Sequence, residues 1–250
     1  MDRMQIDQIA ALLADARRTG NRLARLPEAL RPASVTEAHA IQDAVTVALG
    51  ARVGAFKANA PAGDEPNRGV IYADAVLASP ARIAAARVPQ CGVEGEVAFV
   101  FRRDLPPREA AWSRDDIAAV VDASVAIELV TSRYLQPDAV SNLEKLADGV
   151  SNGALVHALP RDDWRGLDLG RIQVTLLVNG AQVLQQQGGH PTRDPLGAAV
   201  ALANMMRSRG LHAGELVTCG SYTGLRYLQP GDTCAVRFEG LGDAEVTFTR

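Results

Sequence analysis

The 250-residue chain is poor in cysteine; Cys91, Cys219 and Cys234 are all it has. An odd count with no C-x-x-C spacing argues against a disulfide framework or a zinc knuckle, and suits a reducing, cytoplasmic setting. Histidine is nearly as scarce. His39, His157, His190 and His212 are scattered with no H-x-x-x-H pair, which removes the usual helical zinc site. An excess of one charge is lacking too. The 26 basic and 29 acidic side chains leave a net −3, no electrostatic basis for holding nucleic acid or an anionic membrane surface. No apolar run approaches the length of a membrane span, and the opening MDRMQIDQIAALLADARRTG interrupts its apolar positions with acids and bases, unlike a signal peptide. A G-x-S-x-G elbow, a phosphate-binding P-loop, repeats and low-complexity tracts are also missing. Core-forming residues are plentiful: 47% hydrophobic against 22% charged suits one large domain, or one with a small accessory region.

Met4, Ile6, Ile9, Leu12 and Leu13 keep helical spacing and predict an amphipathic helix over 4–19. Ser34-Val35-Thr36-Glu37 is a capping-box pattern that opens a second helix over 35–49, closed by Gly50. The period then changes. Short runs rich in β-branched residues at 70–77, 93–101, 124–131, 154–157, 172–178, 216–218, 234–238 and 244–248 predict strands, separated by turn signals such as Asn179-Gly180 and Pro230-Gly231-Asp232. Two helices interrupt them, one after Ser113 and one from Asp194-Pro195 to Gly210. Without regular β-α-β alternation a doubly wound parallel sheet is disfavoured. The expected class is α+β: a helical N-terminal region, 1–55, followed by a β-rich body, 56–250, as one compact unit.

Within that body, CGVEGEVAFVF sets Glu94 and Glu96 on one strand face with Ala98 and Val100, and Val93, Val97 and Phe99 on the other. Carboxylates this close repel unless water or a cation intervenes. Glu128, in ASVAIELV, stands alone on a strand apolar on both faces, so it must be paired, protonated or metal-bound. Two readings stand on these residues: a sheet with one wet face, or three acids from two strands holding a hard divalent cation such as magnesium or manganese.

Five segments, GVEGEVAFVFRRDLP, AIELVTSRY, KLADGVSNGALV, GGHP with a later LAN, and AGELVTCGSYTG with a later GD, follow one another in the chain. From about Lys57 to the C-terminus it resembles the 2-oxopent-4-enoate hydratase and 4-oxalocrotonate decarboxylase family, which has the fumarylacetoacetate hydrolase-like fold. The resemblance implies a mixed β-roll with magnesium or manganese on Glu94, Glu96 and Glu128. It also implies Lys57 and Asp74 as proton carriers, and Asp148, Asn152, Ser221 and Thr223 as substrate-binding groups. The implied activity is that of a lyase on small 2-oxo acids, hydrating a 2-hydroxydienoate or 2-oxo-enoate through a metal-stabilised enolate. The alternatives are decarboxylation of a 2-oxo-3-enedioate, or a non-catalytic, partner-binding relative. A homo-oligomer is implied, with a partner enzyme of the same pathway as a candidate associate. The chain departs from the family where Ala58-Asn59-Ala60-Pro61 follows Lys57 in place of an aliphatic residue and Gly-Leu-Thr-Ser. It departs again at Thr131 and Gly149, which replace an aspartate and an asparagine. On the residues alone, Lys57 reads as a solvent-facing loop lysine and Asp74 as a turn acid. Ser221 and Thr223 read as turn hydroxyls on local backbone, Arg133 and Arg226 as surface arginines, and His190 as structural.

Overall fold

The structure, a computed structural model, describes residues 1–60 and 65–250; Pro61, in the altered lysine segment, lies outside the described residues. Its helices are α1 (Arg3–Thr19), α2 (Val35–Leu49), α3 (Arg114–Ala118), α4 (Asn142–Ala147) and α5 (Pro195–Met205). At the start of α1 the Asp2 carboxylate accepts the Gln5 N–H at 2.8 Å while the Gln5 side chain accepts the Asp2 N–H at 2.9 Å. Ser34 caps α2 by accepting the Glu37 N–H at 3.2 Å. Glu37 does not return the bond to Ser34 as a capping box would; it reaches one residue further and accepts the Ala33 N–H at 2.7 Å. Ile9, Leu13, Ile41 and Val45 pack with Tyr134 and Leu146, so the helical hairpin shares a core with α4 and the segment before it.

The strands are β1 (Val53–Asn59), β2 (Asn67–Tyr72), β3 (Val76–Ala78), β4 (Ala81–Ala84), β5 (Gly92–Phe101), β6 (Val121–Val130), β7 (Asn152–His157), β8 (Gln173–Val178), β9 (Ala181–Gln187), β10 (Leu216–Ser221), β11 (Arg226–Tyr227), β12 (Thr233–Phe238) and β13 (Gly242–Thr249). They form two sheets. The larger runs β2-β1-β10-β5-β6-β7-β3, with β11 added beside β5; the smaller runs β4-β13-β12-β8-β9. Three pairings are parallel (β1 with β10, β3 with β7, β4 with β13) and the rest antiparallel, the mixed α+β arrangement expected of the chain.

Local competition explains the departures from the sequence reading. α3 stops after five residues because the β-branched run from Val120 claims the chain for β6. The run 70–77 is split by a tight helical turn at Ala73–Ala75. α5 ends at Met205, not Gly210, because Arg207-Ser208-Arg209 carry nothing for the core.

The larger sheet curls, and its two faces meet different cores. Val93, Val97, Phe99, Val125 and Ile127 pack against Val174, Val236 and Phe248 of the smaller sheet. On the opposite, inner face Ala55, Ile71, Ala98, Ala126, Leu155 and Leu216 form a separate cluster. β2 closes the curl by pressing on the turn after α4. A Cβ at Gly69 would sit 2.7 Å from the Gly149 carbonyl oxygen, so only glycine permits this approach. Among the described residues no helix is long and apolar enough to cross a membrane.

Candidate metal and active site

The inner face of the curl carries the acids. Glu94 and Glu128 stand directly opposite each other in the β5–β6 ladder, with Glu96 opposite Ala126. One oxygen from each of the three lies within 4.8 Å of the others. Glu128 is 0% and Glu96 2% exposed, and Glu94 is half-buried, so the wet-face reading does not describe this stretch. Lys57 enters from β1, two strands away from β5 in the sheet. Its Nζ lies 2.6 Å from Glu128 Oε1 and donates to the Val150 carbonyl at 3.0 Å.

This setting changes how each group holds its proton. Burial, reinforced by the charges of Glu96 and Glu94 and opposed by Lys57, pushes the Glu128 carboxyl up to about 8. Burial and Glu94 likewise raise Glu96, against Lys57 and the Gly220 N–H, which Glu96 Oε2 accepts at 3.0 Å. Burial alone would lower the Lys57 ammonium, but Glu128, Glu96 and Glu94 together outweigh it and hold Lys57 above its ordinary range. Fully ionised, three carboxylates and one ammonium sum to −2, the charge that a dication neutralises. Glu128 supplies the sharper observation. Its Oε2 is buried with no partner, while Oε1 faces the Lys57 ammonium at 2.6 Å. A buried carboxylate oxygen left without a partner in an all-oxygen donor set fits a hard divalent cation.

A pH dependence follows. The Glu128 pKa is raised from 4.5 to about 8 on folding, so the folded state retains a proton that the unfolded chain loses. Through this group the metal-free protein is expected to lose stability as pH climbs from about 4.5 to about 8. Added magnesium or manganese should restore more stability at the upper end of that window than at the lower, since ionised carboxylates bind the cation. Thermal unfolding of chelator-treated protein, with and without the cation across this window, checks both signs.

The remaining candidates separate once they are placed. Ser221 stands opposite Glu96 in the β10–β5 ladder, with a buried Oγ that has no partner. Thr223 Oγ1 accepts the Gly95 N–H at 2.8 Å and donates to the Gly224 carbonyl at 3.1 Å, which fastens its turn to β5. Asn152 is 1% exposed and its Nδ2 is also without a partner. Asp148 is buried and engaged internally: its carboxylate accepts from Arg133 Nε and, at 3.1 Å, from the Arg133 N–H, while Arg17 lies 3.6 Å away. Arg133, 5% exposed, is therefore no surface arginine. It also donates to the carbonyls of Asn152 at 2.6 Å and Asp148 at 2.8 Å, shaping the turn between them. In that turn Gly149, Val150 and Ser151 all have positive φ, at 70°, 56° and 57°. A β-branched residue held there is strained backbone of the kind that gathers at functional sites. The turn aims the Val150 carbonyl at Lys57.

Asp74 is not brought to this group. It is exposed and lies 3.5 Å from Arg87. The Ala73 N–H donates to the Arg52 carbonyl, and five residues of extended chain from Arg52 to Lys57 span roughly 16 Å.

Several groups at the centre escape a reading of the sequence. Thr218, in register with both Lys57 and Ala98, is 1% exposed, and its hydroxyl lies beside Glu96 and helps lower that carboxyl. Gly220, at φ 116° where β10 bulges, turns its N–H toward Glu96. Strand alternation through Leu216 and Thr218 would have found the threonine; the Val150 carbonyl and Arg17 leave no signal in residue type. His190, buried, lies with Nε2 2.6 Å from the Cys219 carbonyl, beside the bulge.

Residues 43–249 match the model of the fumarylacetoacetate (FAA) hydrolase C-terminal family. Over 262 residues the chain is 29% identical to a 2-keto-4-pentenoate hydratase of Paraburkholderia xenovorans (strain LB400), covering 99% of this chain and 96% of that one. It is 30% identical over 261 residues to a 2-keto-4-pentenoate hydratase of Burkholderia vietnamiensis (strain G4 / LMG 22486), covering 99% of each. Among solved structures it is similar to the 4-oxalocrotonate decarboxylase of Pseudomonas putida G7 complexed with magnesium and adipate, with a TM-score of 0.83 over 99% of this chain and 98% of that one. At 19% identity, that likeness speaks for the fold alone. The helical front, the curled mixed sheets and the matched residues agree, and the chain belongs to the fumarylacetoacetate hydrolase family.

Proposed function

We propose that the chain is a divalent-metal-dependent hydro-lyase that hydrates a 2-hydroxydienoate, or its 2-oxo-enoate tautomer, to a 4-hydroxy-2-oxo acid. The carrying observation is Glu128, a wholly buried carboxylate with Oε2 unpartnered and Oε1 against the Lys57 ammonium, with Glu94 and Glu96 within reach of the same point. In this reading Glu94, Glu96 and Glu128 hold magnesium or manganese. Bound there, the cation supplies Lewis acidity toward the carboxylate and 2-oxo oxygens of a chelating substrate.

The chain's own residues do the rest. Ketonisation takes the proton from the 2-hydroxyl and places one on the terminal carbon; water then adds its oxygen at C4 and a proton at C3. Lys57 Nζ, fixed between Glu128 and the Val150 carbonyl, is the group positioned to carry that C3 proton. Ser221 and Asn152, each with a buried polar atom free, are the substrate-binding groups, and the Thr218 hydroxyl joins them. Asp148 and Thr223 act one step back, through the backbone they hold. Asp74 stays outside the reacting centre.

The full-length likeness at 29–30% identity to proteins named as hydratases favours hydration over decarboxylation. The same reading places the enzyme in a reducing cytoplasm, where three buried free cysteines are stable. It also extends to a homo-oligomer, for which exposed Val47 and Leu159 offer apolar surface.

Ultraviolet absorbance across a panel of 2-oxo and 2-hydroxydienoic acids tests the proposal. Consumption of a 2-hydroxydienoate is expected with magnesium or manganese, and none after chelation. Release of CO₂ from a 2-oxo-3-enedioate, with no hydration, would turn the reading to decarboxylase. Metal binding without any turnover would turn it to a non-catalytic relative.

A further inference from the structure

One cavity contains none of Lys57, Glu94, Glu96 and Glu128. It measures about 800 Å³ and lies between the C-terminal ends of α1 and α2, the turn at Ala73–Ala75 and the residues that follow β6. Its walls carry six arginines, Arg17, Arg18, Arg22, Arg52, Arg87 and Arg133, against one acid, Asp74. A chain of net charge −3 does not produce such a concentration by composition.

Internal pairing leaves most of this charge unmatched. Arg87 lies 3.5 Å from Asp74, and Arg133 and Arg17 share the single carboxylate of Asp148. Arg18, Arg22 and Arg52 form no ion pair among the described residues. Arg17 adds an independent sign: its Nε is buried with no acceptor. Burial, then the charge of Arg133, lowers its guanidinium to about 10. Like charges gathered around a concavity repel unless an anion enters, and guanidinium forks match carboxylate and phosphate oxygens two at a time.

We propose that this cavity is a binding site for a small organic polyanion bearing two or more carboxylate or phosphate groups, separate from the metal centre. A metabolite-sized ligand suits the volume, whereas a small 2-oxo monoanion would leave most of the guanidinium charge unmatched. The site also touches the centre's scaffold. Arg17 donates to the Asp148 carbonyl at 2.9 Å and Arg133 to the Asn152 carbonyl at 2.6 Å, the two ends of the turn that gives Val150 to Lys57. An anion drawing on these arginines acts on that turn, which makes the ligand an effector. This inference stands on the cavity and does not depend on the reaction assigned to the carboxylates.

The test is calorimetric titration of the metal-free protein with tricarballylate as the carboxylate probe and glucose 1,6-bisphosphate as the phosphate probe. At least one should bind one-to-one, more weakly as salt is raised. The double variant Arg22→Gln/Arg52→Gln, both positions being exposed, should weaken it tenfold or more. Arg237→Gln, which removes an exposed charge from β12 in the other sheet, and Glu96→Gln should each change it less than twofold. The proposal is overturned if neither probe binds, or if the double variant binds like the parent or no worse than Arg237→Gln. It is overturned equally if Glu96→Gln abolishes binding, since the probe would then sit at the carboxylates.

Discussion

Replacing Glu96 with glutamine is expected to weaken magnesium or manganese binding by about a hundredfold or more, and to lower turnover with it. Changes to groups that merely orient a ligand already cost about ten- to a hundredfold in affinity, so loss of a ligand charge should cost at least the upper figure. The fold should survive. Glutamine keeps the volume and still offers an oxygen to the Gly220 N–H, while burial already disfavours the charged carboxylate at this position. The metal-free variant should therefore melt no lower than the parent, which separates loss of the site from loss of structure. Titration calorimetry for the metal, an activity assay and a melting curve read the three effects. Unchanged affinity and activity would rule Glu96 out as a ligand.

Lys57→Met should separate turnover from metal binding. The ammonium competes with a cation for Glu128, so removing it should leave metal affinity equal or higher. Turnover should fall by roughly a hundredfold or more, the scale of a lost acid–base group. Without metal, the three acids lose the only positive charge in contact with Glu128 among the described residues. The variant is expected to be less stable than the parent at neutral pH and closer to it in acid, where the carboxyls are protonated anyway. Parent-like turnover would show Lys57 to be a structural counter-ion and nothing more.

How much of this could be read from residues depends on whether the signal is local. Strand alternation puts Glu94 and Glu96 on one face, and an acid among apolar residues marks Glu128, because both are properties of consecutive residues. The two front helices are legible through their caps and apolar period. β9, AQVLQQQ, is not: it is a mostly exposed edge strand and has no apolar face to alternate. β1 escapes because its seven residues, VGAFKAN, mix small and polar positions that resemble a loop. Lys57 and Val150 meet across 93 positions of sequence through a carbonyl that every residue possesses. Arg133 reads as a surface arginine until Asp148, 15 residues on, is folded against it. Asp74 sits in a segment that resembles the family's, yet a short helical turn carries it to the outside of the curl.

The acceptor that holds Lys57 is main chain, and this sets what kinds of change the centre tolerates over time. Exchanging the side chain at position 150 does not remove a carbonyl, so Val150 is free to drift, and glycine or asparagine would sit there with less strain. Inserting or deleting one residue between Asp148 and Asn152 would swing that oxygen away while leaving every titratable group in place. The centre is thus guarded by the length of a five-residue turn as much as by the identity of its acids.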